Sequence, residues 1–254
     1  MPRPVPDSAA SDPASSGVAP DALESWLAAA PISEMGRIPW GSNAVFQVRL
    51  ETPPGPRLAI YKPARGERPL WDFPARTLHR REVATARVDG ELGWGLTPRA
   101  ALRPEGPLGV GSMQEFIEPP QDPALVPRGP ALEHALAGMA ALDVLVNNAD
   151  RKRAHLLVDP AGRLRGIDHG VTFHREFKLR TVLLDLGGEP VPDPWLADLR
   201  RLAADGARRA RLRQALATLL APVEVEAFEE RLRQLARAGT YPVLDPWYGR
   251  PFEW

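Results

Sequence analysis

NNADRKRAHLLVDPAGRLRGIDHG, residues 147–170, is the stretch that decides how the chain is read. Two short apolar runs, HLLVD (155–159) and RLRGID (163–168), flank Pro160-Ala161-Gly162, so the segment reads as a β-hairpin around a turn. Antiparallel pairing sets the residue entering the first strand beside the residue leaving the second. His155 and Asp168 therefore meet at one end of the hairpin, with Asp150 just ahead of them. A carboxylate beside a metal-capable imidazole suits phosphoryl transfer, in which a triphosphate arrives with a divalent cation that the protein holds while it orients an acceptor hydroxyl.

Working outward, residues 131–146 place Leu132, Leu136, Met139, Leu142 and Val146 at spacings of three and four, the stripe of a helix that packs on one face. Helices are also expected at 195–204, 207–220 and 223–238. Upstream of the hairpin the period changes. NAVFQVRL (43–50) alternates apolar and polar residues and RLAIYK (57–62) repeats the pattern after a Pro-Gly turn, giving a second hairpin with Lys62 at its end. Residues 75–89 lack Pro and Gly and read as a helix carrying Glu82, while 98–103 and 108–117 read as further strands. The chain thus passes from a mainly β half to a mainly α half, an α+β fold of two lobes. Expected boundaries are a disordered tail at 1–20, an N-terminal lobe at 21–118, a Pro-rich hinge at 119–130 and a C-terminal lobe at 131–254.

Composition narrows the function. Lys plus Arg and Asp plus Glu both number 32, a balance that argues against a nucleic-acid coat. The chain has no cysteine, which removes disulfides, thiolate zinc sites and cysteine nucleophiles. No apolar run reaches the roughly 20 residues of a membrane span, and residues 1–20 hold no signal-peptide core, so a cytoplasmic location is expected. Lysine occurs only at positions 62, 152 and 178 in a chain otherwise rich in arginine. A compact ammonium does what a planar fork cannot, so a lysine kept against that bias is a candidate for chemistry.

Asp150-Arg151-Lys152, His155 five residues after Asp150, and Ile167-Asp168-His169-Gly170 together resemble the atypical branch of the protein-kinase-like fold that holds phosphatidylinositol 3- and 4-kinases and HipA-type kinases. The NNADRK run is similar to that of an uncharacterised actinobacterial family described as kinase-like. The resemblance spans about residues 36–180 and implies ATP with Mg²⁺ or Mn²⁺. It implies that Asp150 orients or deprotonates the acceptor hydroxyl, with Lys152 beside it, and that Asp168 is the main metal ligand. His155 stands where that group has an Asn, and imidazole suits Mn²⁺ or Zn²⁺ better than Mg²⁺. Lys62 would contact phosphates and Glu82 would hold it. Gly41-Ser42-Asn43 would cover the phosphates, Gln114, Glu115, Phe116 and Ile117 would lie beside adenine, and Asn148 and Lys152 would support the loop or touch a phosphate.

These expectations describe an ATP-dependent kinase whose acceptor, a lipid headgroup, a metabolite or a protein hydroxyl, is not named by the sequence. His174, Arg175, Lys178 and Arg180 make the stretch after Asp168 basic, which would suit an anionic acceptor. Two other readings share the fold: a pseudokinase that binds nucleotide and signals to a partner, and an enzyme that transfers AMP.

Overall fold

A five-stranded antiparallel sheet dominates the first half of the structure, a computed structural model that describes residues 20–39 and 41–251. The tail expected at 1–20 lies outside the described residues except for Pro20, which starts helix α1 (Pro20–Ala29). The strands are β1 (Ile32–Ile38), β2 (Val45–Leu50), β3 (Arg57–Pro63), β4 (Ala100–Arg103) and β5 (Gly111–Glu115), in the spatial order β1-β2-β3-β5-β4. Register fixes the faces. Tyr61 lies opposite Phe46 and Met113, and Ala101 is opposite Met113, so these residues share one face. That face packs under α1 through Leu27 and Ala30 into a small core with Val48, Leu50 and Ala59. Lys62, Ser112, Leu102, Ile60 and Gln114 necessarily point the other way.

Helix α2 (Leu78–Leu92) covers that second face. It starts three residues later than the 75 expected from composition, because Glu67, distant in sequence, accepts the N–H groups of Leu78 and His79 at 3.1 and 2.9 Å. It also runs through Gly90 and stops at Gly93, whose φ of 73° lets it close the helix with N–H donated to Asp89 and Gly90 carbonyls. The β2–β3 hairpin agrees with the expected pairing within two residues, and β4 and β5 are shorter than expected. Helix α1 and strand β1 were not expected. β1 is an edge strand whose five central residues are all exposed, so it carries no alternation to read.

The chain passes from β5 through residues 116–129 to α3 (Pro130–Val146). The expected one-sided stripe holds only for the first half of α3. From Ala137 onwards every residue is buried, Asp143 included, because helices α4 (Trp195–Ala204) and α6 (Pro222–Ala238) and the hairpin β6 (Leu156–Val158) and β7 (Leu164–Gly166) surround it. Helix α5 (Gly206–Ala217) completes this lobe. The α2 residues Val83, Ala84 and Val88 belong to the same large core, so α2 links the sheet to the helices. Buried Arg81 on α2 reinforces the link: it donates to the Thr172 carbonyl and to Glu224 on α6, both at 2.6 Å. No helix among the described residues is long and apolar enough to cross a membrane.

Gly138 on α3 shows how tightly α4 packs. A Cβ there would stand 2.7 Å from the indole of Trp195, which also stacks on His134 and meets Trp94 edge-on. Gly138→Ala, which in an open helix stabilises by about 0.8–1 kcal/mol, is expected instead to destabilise by about 1–3 kcal/mol through overpacking. Urea denaturation of this variant alone and in a Trp195→Leu background checks the cause. The change should be unfavourable in the first case and neutral or favourable in the second.

Candidate functional site

Lys62 sits at the end of β3 on the face turned to α2, and its ammonium lies between two carboxylates. Nζ donates to Glu82 Oε1 and, at 3.2 Å, to Asp168 Oδ1. The other oxygen of Asp168, Oδ2, lies 3.3 Å from His155 Nε2, and Asp150 Oδ2 lies 3.0 Å from Lys152 Nζ. Residues separated by up to 106 positions thus form one polar cluster between sheet and helices. Asp168 has a φ of 60°, a left-handed conformation that a short polar side chain tolerates. At Gly170, two residues on, an added Cβ would lie 3.3 Å from Leu78 Cβ, a tight contact, and 3.6 Å from Glu82 Oε1, an ordinary one.

The charges respond to this packing. The Lys62 ammonium holds Asp168 well below the usual carboxylate range, against the effect of burial. Burial works against the Lys62 charge, but the carboxylates of Glu82 and Asp168 outweigh it and raise its affinity for the proton. Burial pushes Glu82 up while Lys62 opposes it. Burial also raises Asp150, opposed by Lys152, and lowers His155, which favours the neutral imidazole that a metal needs.

Beneath the cluster is a support that the sequence reading did not identify. Arg151, wholly buried, grips wholly buried Asp143 with Nε and Nη2 at 2.8 and 2.9 Å. Its Nη1 donates to the Ile167 carbonyl at 2.9 Å and Nη2 also reaches His169 Nε2 at 2.6 Å. Asn148 donates to Asp143 Oδ1 and accepts the Asp150 N–H, so its role in the structure is to hold the loop. Asn147, in a left-handed turn at the end of α3, donates to the carbonyls of His174 and Glu176 and accepts the Lys178 N–H. The signal that could have revealed this support was Asp143 itself, a charge inside the apolar run ALDVLV.

The remaining expected residues are more dispersed. Ser42 is exposed in the β1–β2 turn, and Asn43 accepts the Arg68 N–H at 2.8 Å, which ties the turn to the loop after β3. Gln114 is buried on the Lys62 face, whereas Glu115, Phe116 and Ile117 are half-buried where β5 ends. The Glu115 and Phe116 N–H groups donate to the carbonyls of Arg99 and Leu58, so those two amides are engaged within the protein. The basic stretch after Asp168 does not offer the free charge expected of it. Lys178 pairs with Asp72 at 2.7 Å, His174 is buried and donates to the Asp72 carbonyl, and Arg175 lies 3.7 Å from Glu176.

The donor chemistry fits one divalent cation. Two ligands about 2.1 Å from a cation on adjacent vertices stand about 3.0 Å apart, close to the Asp168–His155 separation of 3.3 Å. No group of three or more His, Asp or Glu side chains suited to a metal occurs among the described residues. Phosphate oxygens and water would have to supply the other positions, as is usual for Mg²⁺ at nucleotide sites.

Comparisons with known proteins bear on this geometry. No protein-family model matches the sequence. The chain is 36% identical over 263 residues to Protein Rv2133c of Mycobacterium tuberculosis, covering 90% of this chain and 93% of that protein. Among solved structures, hydra Fam20 with sugar has a TM-score of 0.63 at 13% identity, over 85% of this chain and 86% of its own. The Golgi casein kinase with Mn/ADP bound has 0.58 at 16%, over 86% and 74%. The Helicobacter pylori proinflammatory kinase CtkA has 0.50 at 12%, over 84% and 94%. At these identities the likeness is one of fold, and it establishes a two-lobed kinase-like architecture.

His169 yields a prediction about pH. Arginine can only donate, so His169 Nε2 accepts from Arg151 and the imidazole is neutral. Burial, with the Arg151 charge adding to it, holds its pKa well below the usual value. The unfolded chain takes up a proton near pH 6.5 that the folded chain refuses, so this stability is present above that pH and lost as pH falls. The slope approaches about 1.4 kcal/mol per pH unit for one such group. Urea midpoints between pH 7.5 and 5.5 should therefore fall less steeply for His169→Gln than for the wild type. Equal slopes would mean that His169 is charged in the folded protein.

Proposed function

We propose that this chain, which belongs to the family of Protein Rv2133c of Mycobacterium tuberculosis, is an ATP-dependent phosphotransferase. The observation that carries the proposal is Lys62 held between Glu82 of α2 and Asp168 of the segment after β7, inside a kinase-like fold. Glu82 fixes the ammonium against the sheet, where it would meet the nucleotide phosphates. Asp168 and His155 would hold Mg²⁺ or Mn²⁺. The metal when bound offsets the charge of the phosphates. The Golgi casein kinase with Mn/ADP bound shows that a neighbour of this fold holds such a pair.

Asp150 is the residue assigned to the acceptor. Burial raises its proton affinity, which brings a carboxylate nearer to use as a base, and Lys152 holds it in place at 3.0 Å. In the reaction the acceptor oxygen forms a bond to the γ-phosphorus while the bond to the β,γ-bridging oxygen breaks. The hydroxyl proton passes to Asp150 and ADP leaves. Gln114 to Ile117 would flank the adenine, and Ser42 and Asn43 would border the phosphates. Residues 119–130 would act as the hinge, consistent with the lack of α-helix and strand between β5 and α3. The acceptor is a hydroxyl on a lipid headgroup, a metabolite or a protein.

The test separates binding from transfer. Asp150→Asn should lower turnover by about 10²- to 10⁴-fold with little change in ATP affinity, since a group orienting the attacking hydroxyl acts in the transition state. Asp168→Ala should abolish metal-dependent thermal stabilisation by ATP, and Lys62→Arg should weaken ATP binding measured by calorimetry. A mass gain of one phosphate on an acceptor or on the chain identifies the kinase, and a gain of one AMP identifies nucleotide transfer. Metal-dependent ATP binding with neither product would replace the proposal with a nucleotide-sensing pseudokinase.

A further inference from the structure

A cavity of about 230 Å³ opens between the end of β3 and the start of α2. Its lining includes Leu70, Phe73 and Leu78 together with Arg65, Arg68 and Arg76. All three arginines are exposed, and among the described residues none of their guanidinium groups makes a hydrogen bond or ion pair. They differ in this from the partly or wholly buried Arg81, Arg151, Arg165 and Arg208, which all grip carboxylates; what marks the three is that they border one hollow. The carboxylate in the cavity wall, Glu67, pairs with none of the three. Its oxygens accept the N–H groups of Leu78 and His79 and lie 2.7 Å from His79 Nδ1.

We infer that this cavity binds the phosphate group of a small ligand, at a site separate from the nucleotide cleft. Three planar forks around one hollow match the oxygens of a phosphate monoester, and the apolar side chains in the lining suit the carbon body that bears it. The volume is below that of a drug-sized pocket, which limits the ligand to a phosphate on a short chain or the exposed headgroup of a lipid. The location is also specific. Leu78 lies four residues before Glu82 on α2, so the cavity begins about 6 Å along the helix from the Lys62 pair. The same Leu78 packs beside Gly170, two residues after Asp168.

The experiment uses the full chain without nucleotide or added metal, so its result does not depend on the phosphotransferase assignment. Calorimetry with glycerol 3-phosphate tests the soluble source, and sedimentation with phosphatidylcholine vesicles, with and without phosphatidic acid, tests the lipid source. Saturable binding to either phosphate-bearing probe is expected, at constant ionic strength. The Arg65→Gln/Arg68→Gln/Arg76→Gln variant should weaken it by about tenfold or more, with the thermal midpoint and the affinity for ATP with Mn²⁺ unchanged. Replacing the same three residues by Lys should restore only part of it, because the charge returns without the fork. Absence of binding to both probes, or equal binding by the Gln variant, would overturn the inference. So would loss of ATP affinity in that variant together with competition between ATP and the probe, which would make the cavity part of the nucleotide site.

Discussion

Arg151 cannot be removed from the structure without undoing the site above it. It is a guanidinium with no solvent contact, and its charge is matched by Asp143 in a two-point grip. Burying such a pair gains little by itself, because desolvation of both ions consumes most of the attraction. What it enforces is geometry. One planar group reaches α3 through Asp143, the residue before Asp168 through the Ile167 carbonyl, and the residue after it through His169. Asp150 and Asp168, on either side of the β6–β7 hairpin, are thereby held to the same reference point. Leaving Asp143 unpaired would cost about 3–5 kcal/mol, so the arrangement has few alternatives.

A second buried arginine does for the lobes what Arg151 does for the loop. Arg81 immediately precedes Glu82, and it binds α6 and the Thr172 carbonyl while Glu82 faces Lys62 on the sheet. Adjacent helical residues point about 100° apart, which lets one position of α2 address the helical lobe and the next address the strands. The loop before α2 adds a further tie at the front, through Asp72 to Lys178 and Phe73 to His174. The orientation of Glu82 is thus inherited from contacts with the lobe that carries Asp168.

Much of this could be read from the sequence because its signals were local. The turn Pro160-Ala161-Gly162 between two apolar runs specified a hairpin, and antiparallel pairing placed His155 with Asp168 without any knowledge of the fold. Lys62 and Glu82 were legible from a strand end and a helix face. Signals that failed were non-local. The Glu67 cap of α2 comes from 11 and 12 residues upstream, and Asp72 meets Lys178 across 106 positions, so the charge of the basic stretch appeared free when it is paired. Asp143 lay within a run read as packing, and its partner Arg151 lay within a motif where only its neighbours drew attention.

Under the proposed function, the charge inventory of the cleft constrains how a nucleotide would enter. Glu82, Asp168 and Asp150 face Lys62 and Lys152, while His155 and His169 are held towards neutrality by burial. By formal count the cluster sets three carboxyl groups against two ammonium groups before any ligand arrives. A triphosphate alone would meet repulsion from Asp168, whose carboxylate is kept ionised by Lys62. A cation alone would find only Asp168 and His155 as protein donors, with Lys62 already bonded to the carboxylate. Together the two ligands resolve both problems, since the cation can engage Asp168 and Lys62 can turn its free donors to phosphate without leaving Glu82. Under the proposed function, the electrostatics would couple metal and nucleotide into one binding event, with Asp168 as the residue that both would require.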